Sequence, residues 1–478
     1  MNATQIYGGQ LKLVDESQLR QIHQTAMDIL CEIGVQVFSK TALELCRDKG
    51  IPIVEDSIVF MSKEMIEWAI ESAPSHVLLA GQTEEFDLHL EKNRVYLGTG
   101  GAAIRIYDVK IGQTRAAALP DLPKMARLCD ALDNIHFFIR PVEPPDLSPD
   151  DLDIYKFYVS LANTRKNVMG AAYSKESVHK VVEMASIISG GMERLRSRPI
   201  ISFNVGIISP LRFDTQAVEI LFEIVRLGIP VALLATPVAG STGPATLAGG
   251  TSLAHAEALA SVVMAQLAQP GAPVLYGPIP RPVNWSTMRG LKGGVESGMM
   301  NAVLAQMSHY IEIPQYADAG GTEAKIPDIQ AGYEAAANIM LVALAGGNYI
   351  HHAAGLLDSD LTACLEKFII DNDICGMVGR ALRGLDINQR DFAFDVIKHV
   401  GPGGNFLSED HTLDNLRTGE IFTPQSACRN EEITTLEKAS RIVHDILDEQ
   451  WPEIIDQRTD ERIRDKIGLR FNRRGEPF

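Results

Sequence analysis

The stretch Ile339–Gly355, IMLVALAGGNYIHHAAG, carries the reading of the fold. An apolar approach from Ile339 to Ala345 passes through the pair Gly346-Gly347 into a short β-like segment. That segment ends in His351 and His352, and the acidic run Asp358–Asp360 follows. In a barrel of parallel strands, chemistry gathers where strands end and loops begin. Side chains alternate along a strand, so only one of the two imidazoles is expected to face a pocket. The plainer reading packs one histidine in the core and bonds the other to a backbone carbonyl.

Outward from this stretch, similar apolar runs alternate with helical periodicity. They are Val95–Leu97, His136–Arg140, Asn167–Ala171, Ile200–Val205, Pro230–Ala235, Pro273–Tyr276, Gln315–Ala317 and Asn348–His352. From the second run onward they recur roughly every 30 to 40 residues, which suits a strand, a loop, a helix and a return. Most are apolar on both faces, as strands of a buried parallel sheet should be. About eight such units predict an α/β fold, a TIM (β/α)8 barrel with an N-terminal helical extension. The expected division is residues 1–90 as a helical segment with short strands, 91–425 as the barrel, and 426–478 as a C-terminal helix and polar tail. No GxGxxG follows an early strand, which counts against a dinucleotide-binding variant.

Composition narrows the function. The chain has 478 residues and a net charge of −17, which argues against general nucleic-acid binding. The basic cluster Arg470–Arg474 reads as a solvated tail. Six widely spread cysteines without CxxC spacing fit reduced thiols. With no signal-like start and no uninterrupted apolar run long enough for a bilayer, a cytoplasmic protein is expected.

Several expected strand ends carry Gly- and Pro-rich loops, as a packed active-site mouth requires. The segment Ala239–Thr251, AGSTGPATLAGGT, lacks the GK[ST] ending of a phosphate loop. His255 and Glu257 lie two apart in a helical stretch and do not share a face, so a structural role is expected. The histidine pair with Asp358 and Asp360 would suit a metal-dependent barrel hydrolase or lyase. No HxH lies near the first strand, however, and no strand-end series of Lys, Asp and His is evident.

The stretch Gly401–Arg417 reads GPGGNFLSEDHTLDNLR. It resembles the GxGGxFLxxxHTLxNxR signature of the trimethylamine methyltransferase family, in its branch without pyrrolysine. GPATLAGG with its AHAEALA helix, QPGAPVLYG, GGTEAKIPDIQAGYE, GGNYIHHAAG, LEKFIIDNDICGM and the opening IHQTAMDILCEIGV agree in order. The resemblance covers nearly the whole chain. It implies a TIM-barrel enzyme of methylamine metabolism that moves a methyl group from a methylated amine to the Co(I) of a separate corrinoid (cobalamin) protein. Trimethylamine members carry pyrrolysine and this chain does not, which points to quaternary amines such as glycine betaine.

That chemistry calls for aromatic faces to hold a cation without N–H donors. Tyr96, Trp285, Tyr316, Tyr349 and Phe406 are expected in rim segments. His351 or His352 and Arg281 are candidates for a substrate carboxylate. The histidine pair is taken as catalytic, Glu323 as substrate-binding by family pattern, and Gly403, Gly404 and His411 as corrinoid-facing. No metal bound by this chain is expected. The partners implied are the corrinoid protein and a small quaternary amine, with no nucleic acid and no membrane, in a homo-oligomer. Two other classes compete: the metal-dependent hydrolase or lyase, and a non-catalytic betaine-binding relative.

Overall fold

The computed structural model describes residues 6–476, apart from 146, 148, 386, 388–390, 417–419 and 429–431. Arg417, the last residue of the signature stretch, therefore lies outside the described residues.

The fold is α/β. Its central strands are β1 (Tyr96–Thr99), β2 (Phe138–Ile139), β3 (Val168–Gly170), β4 (Ile201–Gly206), β5 (Val231–Ala235), β6 (Val274–Pro278), β7 (Tyr316–Asp318) and β8 (Tyr349–Ala354). Strands β2 to β6 form one parallel ladder in sequence order, and β7, β8 and β1 form a second. Single parallel bridges, Gly98 to Phe137 and Tyr276 to Gln315, set β1 beside β2 and β6 beside β7.

A helix follows each strand: α1 (Asp121–Ala131), α2 (Pro149–Asn163), α3 (Lys175–Ser189), α4 (Thr215–Leu227), α5 (Leu247–Ala268), α6 (Val295–Tyr310), α7 (Ile329–Ala345) and α8 (Leu365–Arg383). Local chemistry sets several of their ends. Asp214 and Asp328 cap α4 and α7 by accepting from the backbone N–H groups of Ala217 and Ala331. Gly228 and Gly346 end the same helices in the left-handed conformation, where a side chain would be strained.

The period of two along the strands sorts their side chains into two cores. Phe138, Val168, Phe203, Val231, Leu233 and Ile350 pack outward in the large core shared with the helices. Phe137, Ile139, Met169, Ala232, Leu275, Tyr316 and Tyr349 form a separate apolar cluster with the hairpin Val77–Leu79/Leu88–Leu90. Both strand faces are therefore dry, which is why the runs read as apolar throughout.

The N-terminal helices Glu16–Asp28, Lys40–Asp48 and Lys63–Ser72 start at Asp15, Ser39 and Ser62, each accepting from an N–H of the first turn. The first and third lie on α5. The C-terminus departs from expectation. A second helix, Gln457–Ile467, follows Thr435–Asp448, while Arg470, Arg473 and Arg474 are exposed, as a solvated basic cluster should be. Phe471 meets Tyr155 edge-on, Arg474 lies over Trp451, and the Arg473 carbonyl accepts from Asn163. The ring of Phe471 on the buried Tyr155 thus anchors a stretch whose arginines stay in solvent.

All six cysteines are free. Among the described residues no helix is long and apolar enough to cross a membrane.

Candidate active site

Strand β8 pairs regularly at Tyr349 and Ile350, opposite Tyr96 and Leu97 of β1, and then slips until Ala354 faces Thr99. Four steps along β8 thus answer two along β1. His352 takes the slack at φ 63°, in the left-handed region. A bulge of this kind re-aims side chains next to it. The alternation expected for the histidine pair is therefore broken: the two rings lie 3.8 Å apart, centroid to centroid, on the same side. Gly100 makes the room. A Cβ there would stand 2.6 Å from His352 Cδ2 and 3.0 Å from His351 Cδ2.

His351 Nδ1 lies 2.6 Å from the Ala317 carbonyl, which fixes its proton there and leaves Nε2 with a free lone pair. The ring rests on Tyr316, 4.3 Å between centroids, and burial pushes the imidazole well below its ordinary pKa. His351 is neutral. His352 Nδ1 is 2.8 Å from Asp318 Oδ1 and 3.1 Å from Lys292 Nζ. It cannot donate to one and accept from the other. Lys292 has closer acceptors, so the Nδ1 proton is assigned to the Asp318 bond.

Lys292 is the hub of the cluster. Its side chain is 4% exposed, with Nζ 2.6 Å from Asp318 Oδ2 and 2.7 Å from Asp360 Oδ2. Burial alone would raise both carboxyl pKa values. Lys292 and His352 outweigh it, holding Asp318 well below the usual carboxylate range and lowering Asp360. Two carboxylates, Asp318 and Asp360, thus face the one ammonium of Lys292. Asp360 Oδ1 is buried without a partner among the described residues.

The loops above are tied together. Asp358, Ser359 and Asp360 all have positive φ (52°, 53° and 69°), a strained run that must be held from outside. Arg105 Nη2 grips Asp358 at 2.8 Å, and Ser359 Oγ donates to Glu323 at 2.8 Å. Glu323 also accepts from the Lys292 backbone N–H at 2.8 Å. Glu323 thus joins three loops.

Other expected residues fall elsewhere. Tyr96 and Tyr349 begin their strands and sit at the opposite end from the histidines. The Tyr96 hydroxyl accepts from the His89 N–H, and Tyr349 is stacked on Phe137 at 3.5 Å. Tyr316 also begins its strand, but reaches His351. The rim position expected for Tyr96 and Tyr349 is not met, because an aromatic at a strand start fills the interior. Arg281 opens a hairpin, Arg281–Asn284 with Arg289–Gly290, and its stem covers Gly290. Trp285, 67% exposed, sits at the tip of that hairpin.

Gly403, Gly404, Phe406 and His411 lie on the segment after α8. It is tied back at the C-terminal end of that helix, where Arg380 and Arg383 bond Glu420. No contact recorded for the described residues joins them to the histidine pair. Phe406 was expected at the rim and Gly403, Gly404 and His411 facing the corrinoid; all four lie on this segment beyond α8.

The absence of a strand-end series of Lys, Asp and His, read from the sequence, is also corrected. Lys292 follows β6, Asp318 closes β7 and His352 lies in β8, all buried together. Asp318 directly follows the apolar run Gln315–Ala317, but nothing about Lys292 in GLKGG marks it as buried. Asp318, His351 and His352 offer donor atoms within 4.8 Å of one another, a spacing that could hold a metal ion. Lys292 already supplies a cation to Asp318 there.

Comparison with known proteins agrees along the whole chain. The family model described as trimethylamine methyltransferase (MTTB) matches residues 3–475. The chain is 34% identical to trimethylamine methyltransferase MttB of Desulfitobacterium hafniense, over 84% of this chain and 81% of that one. It is 31% identical to a glycine betaine methyltransferase of the same species, over 97% and 98% of the two chains. Among solved structures, the monomethylamine methyltransferase MtmB of Methanosarcina barkeri aligns over 93% of this chain and 96% of that one. That alignment has a TM-score of 0.46 and 15% identity. The chain belongs to the trimethylamine methyltransferase family and is a methyltransferase.

Proposed function

We propose that the protein transfers a methyl group from a betaine-type quaternary amine, glycine betaine first, to the Co(I) of a separate corrinoid protein. The eight parallel strands are taken as a closed (β/α)8 barrel, residues 91–425, flanked by segments 1–90 and 426–478. The two inter-ladder bridges support that closure, and the histidine cluster then lies at the C-terminal mouth, where barrel chemistry is done.

One observation carries the choice of substrate: the buried set Asp318–Lys292–Asp360, with its two carboxylates and the unpartnered Asp360 Oδ1. A fixed cation without N–H groups is stabilised by such a field and by ring faces, here Tyr316 under His351. In the reaction the cobalt electron pair attacks one methyl carbon in line with the C–N bond. That bond breaks, its pair stays on nitrogen, and a neutral tertiary amine leaves. No proton has to be delivered, so the neutral His351 needs no acid role. Its free Nε2 edge lines the pocket, and Asp318 and Lys292 fix the rotamer of His352 beside it. The enzyme's work is to orient the cation, aim one methyl group outward and keep water away.

The printed names of the relatives leave trimethylamine as the second candidate. A quaternary ammonium keeps its charge at every pH and leaves as a neutral tertiary amine with no proton delivered, which favours the quaternary substrate. Incubation with reduced corrinoid protein and glycine betaine should release dimethylglycine in step with methylated cobalt. Cobalt methylation without dimethylglycine, or neither, contradicts the proposal.

A further inference from the structure

The cluster just described binds a cation, but a betaine also carries a carboxylate. We infer that Arg140 holds that carboxylate and so selects zwitterions over simple ammonium ions, an inference that rests on the quaternary-amine reading above.

Arg140 follows directly on β2, at the same end of the strands as the histidine pair. The bridges Gly98 to Phe137 and Ala103 to Val142 bracket the stretch, so Gly100-Gly101 of the β1 chain runs beside Ile139-Arg140. On its other side Gly100 abuts both histidine rings. The backbone of Gly100-Gly101 thus runs between Arg140 and the histidine rings.

Arg140 is 7% exposed, yet its Nε is buried without a partner among the described residues. Its nearest carboxylate does not use up the fork. Glu143 Oε1 is 3.5 Å from Nη2 and already takes the Tyr173 hydroxyl at 2.9 Å and Lys156 Nζ at 3.3 Å. Lys156 in turn is matched by Asp153 at 2.9 Å. An unmet donor on a buried cation is costly, and a ligand carboxylate can take the fork bidentately.

The opposite pole mirrors this: Asp360 Oδ1 is the unmet buried acceptor. The Tyr316 hydroxyl, inside the ring of strands, lies in the field of both Arg140 and Asp360, which act on it in opposite directions. Two buried charges of opposite sign, each with an open valence, thus face one interior from strands separated by glycine. That arrangement fits a small zwitterion with a fixed ammonium and a carboxylate. Arg281, half-buried on the hairpin with its stem on Gly290, is not in this arrangement.

The test is calorimetry on the full chain with glycine betaine and with tetramethylammonium, which has the cation alone. Wild type should favour glycine betaine. In Arg140→Gln, affinity for glycine betaine should fall about 10- to 100-fold, the loss of a charge-assisted bidentate contact, with tetramethylammonium binding unchanged. Arg140→Lys, which keeps the charge without the fork, should recover part of the loss. If Arg140→Gln does not fold, Arg140→Gln with Glu143→Gln removes both members of the pair and should show the same selective loss. Equal weakening of both ligands, or of neither, overturns the role of Arg140 and leaves the quaternary-amine reading standing. Failure of wild type to bind either ligand overturns that reading and this inference with it.

Discussion

The two ends of the strand interior are built on opposite principles. Where the strands begin, Tyr96, Phe137, Met169, Leu275, Tyr316 and Tyr349 close a dry cluster over the hairpin Val77–Leu90. Their pairing is regular and their backbone unstrained. Where the strands end, β8 slips against β1, His352 and Asp358–Asp360 turn left-handed, and four titratable groups are buried in contact. The first arrangement lowers free energy by burying apolar area. The second stores strain and buried charge, and persists because ionic bonds and loop ties over-determine it. The difference separates what folds the chain from what it does.

The comparison is broken most directly at Asp318. Asp318→Asn leaves Lys292 with one carboxylate fewer in a dry site. Denaturant unfolding should show a loss of about 3 kcal/mol, and methyl transfer should become undetectable. Because the Asp318 pKa is depressed in the folded state, its contribution is complete above the unfolded value near 4 and lost as pH falls further. An Asp318→Asn variant as stable and active as wild type would show that the cluster is ornamental.

Glu257 sharpens the same point away from the mouth. It is buried on α5, bonded to Ser209 Oγ at 2.7 Å and the Leu211 N–H at 2.9 Å, and burial pushes its pKa up to about 7. Unlike Asp318, it has no cation against it. The sign is reversed: its neutral form is favoured in the folded state. Stability is highest below the unfolded value of about 4.3 and falls as pH rises through about 7, by about 3 kcal/mol. Comparing wild type with Glu257→Gln across that range by denaturant melts should isolate this slope. A constant difference between the two would contradict it.

Gly100→Ala drives a Cβ to 2.6 Å from His352 Cδ2 and 2.8 Å from its backbone N. The expected loss is about 1–3 kcal/mol of stability, together with weaker ligand binding measured by calorimetry. At the other end, Tyr349→Phe removes a buried hydroxyl that has no partner among the described residues. Stability should stay level or rise by about 1 kcal/mol, with methyl transfer unchanged. Loss of activity there would erase the division between the two ends.

Much of this division was legible in the sequence, and the illegible part has a common cause. The eight apolar runs register with the eight strands to within a residue or two, because dry faces on both sides force continuous apolar sequence. The helices and short strands expected within residues 1–90 are present as well. Glu323 was marked only by family pattern, and its loop-joining bonds appear only in three dimensions. Lys292, Asp318 and Arg140 were missed as a site because they come from three strand ends, and their meeting depends on tertiary closure. The histidine pair was misjudged for a different reason: strict alternation assumes a regular strand, and the slip at Ile350–Ala354 leaves no mark in residue types.

The central claim is that the two buried carboxylates at the strand ends serve a quaternary ammonium rather than trimethylamine. The measurement that tests it most directly is the absorbance change of a reduced corrinoid protein, incubated with this enzyme and either glycine betaine or trimethylamine. The account predicts rapid loss of the Co(I) band and growth of methyl-Co(III) with glycine betaine, and no change with trimethylamine. Methylation from trimethylamine with glycine betaine inert would contradict it.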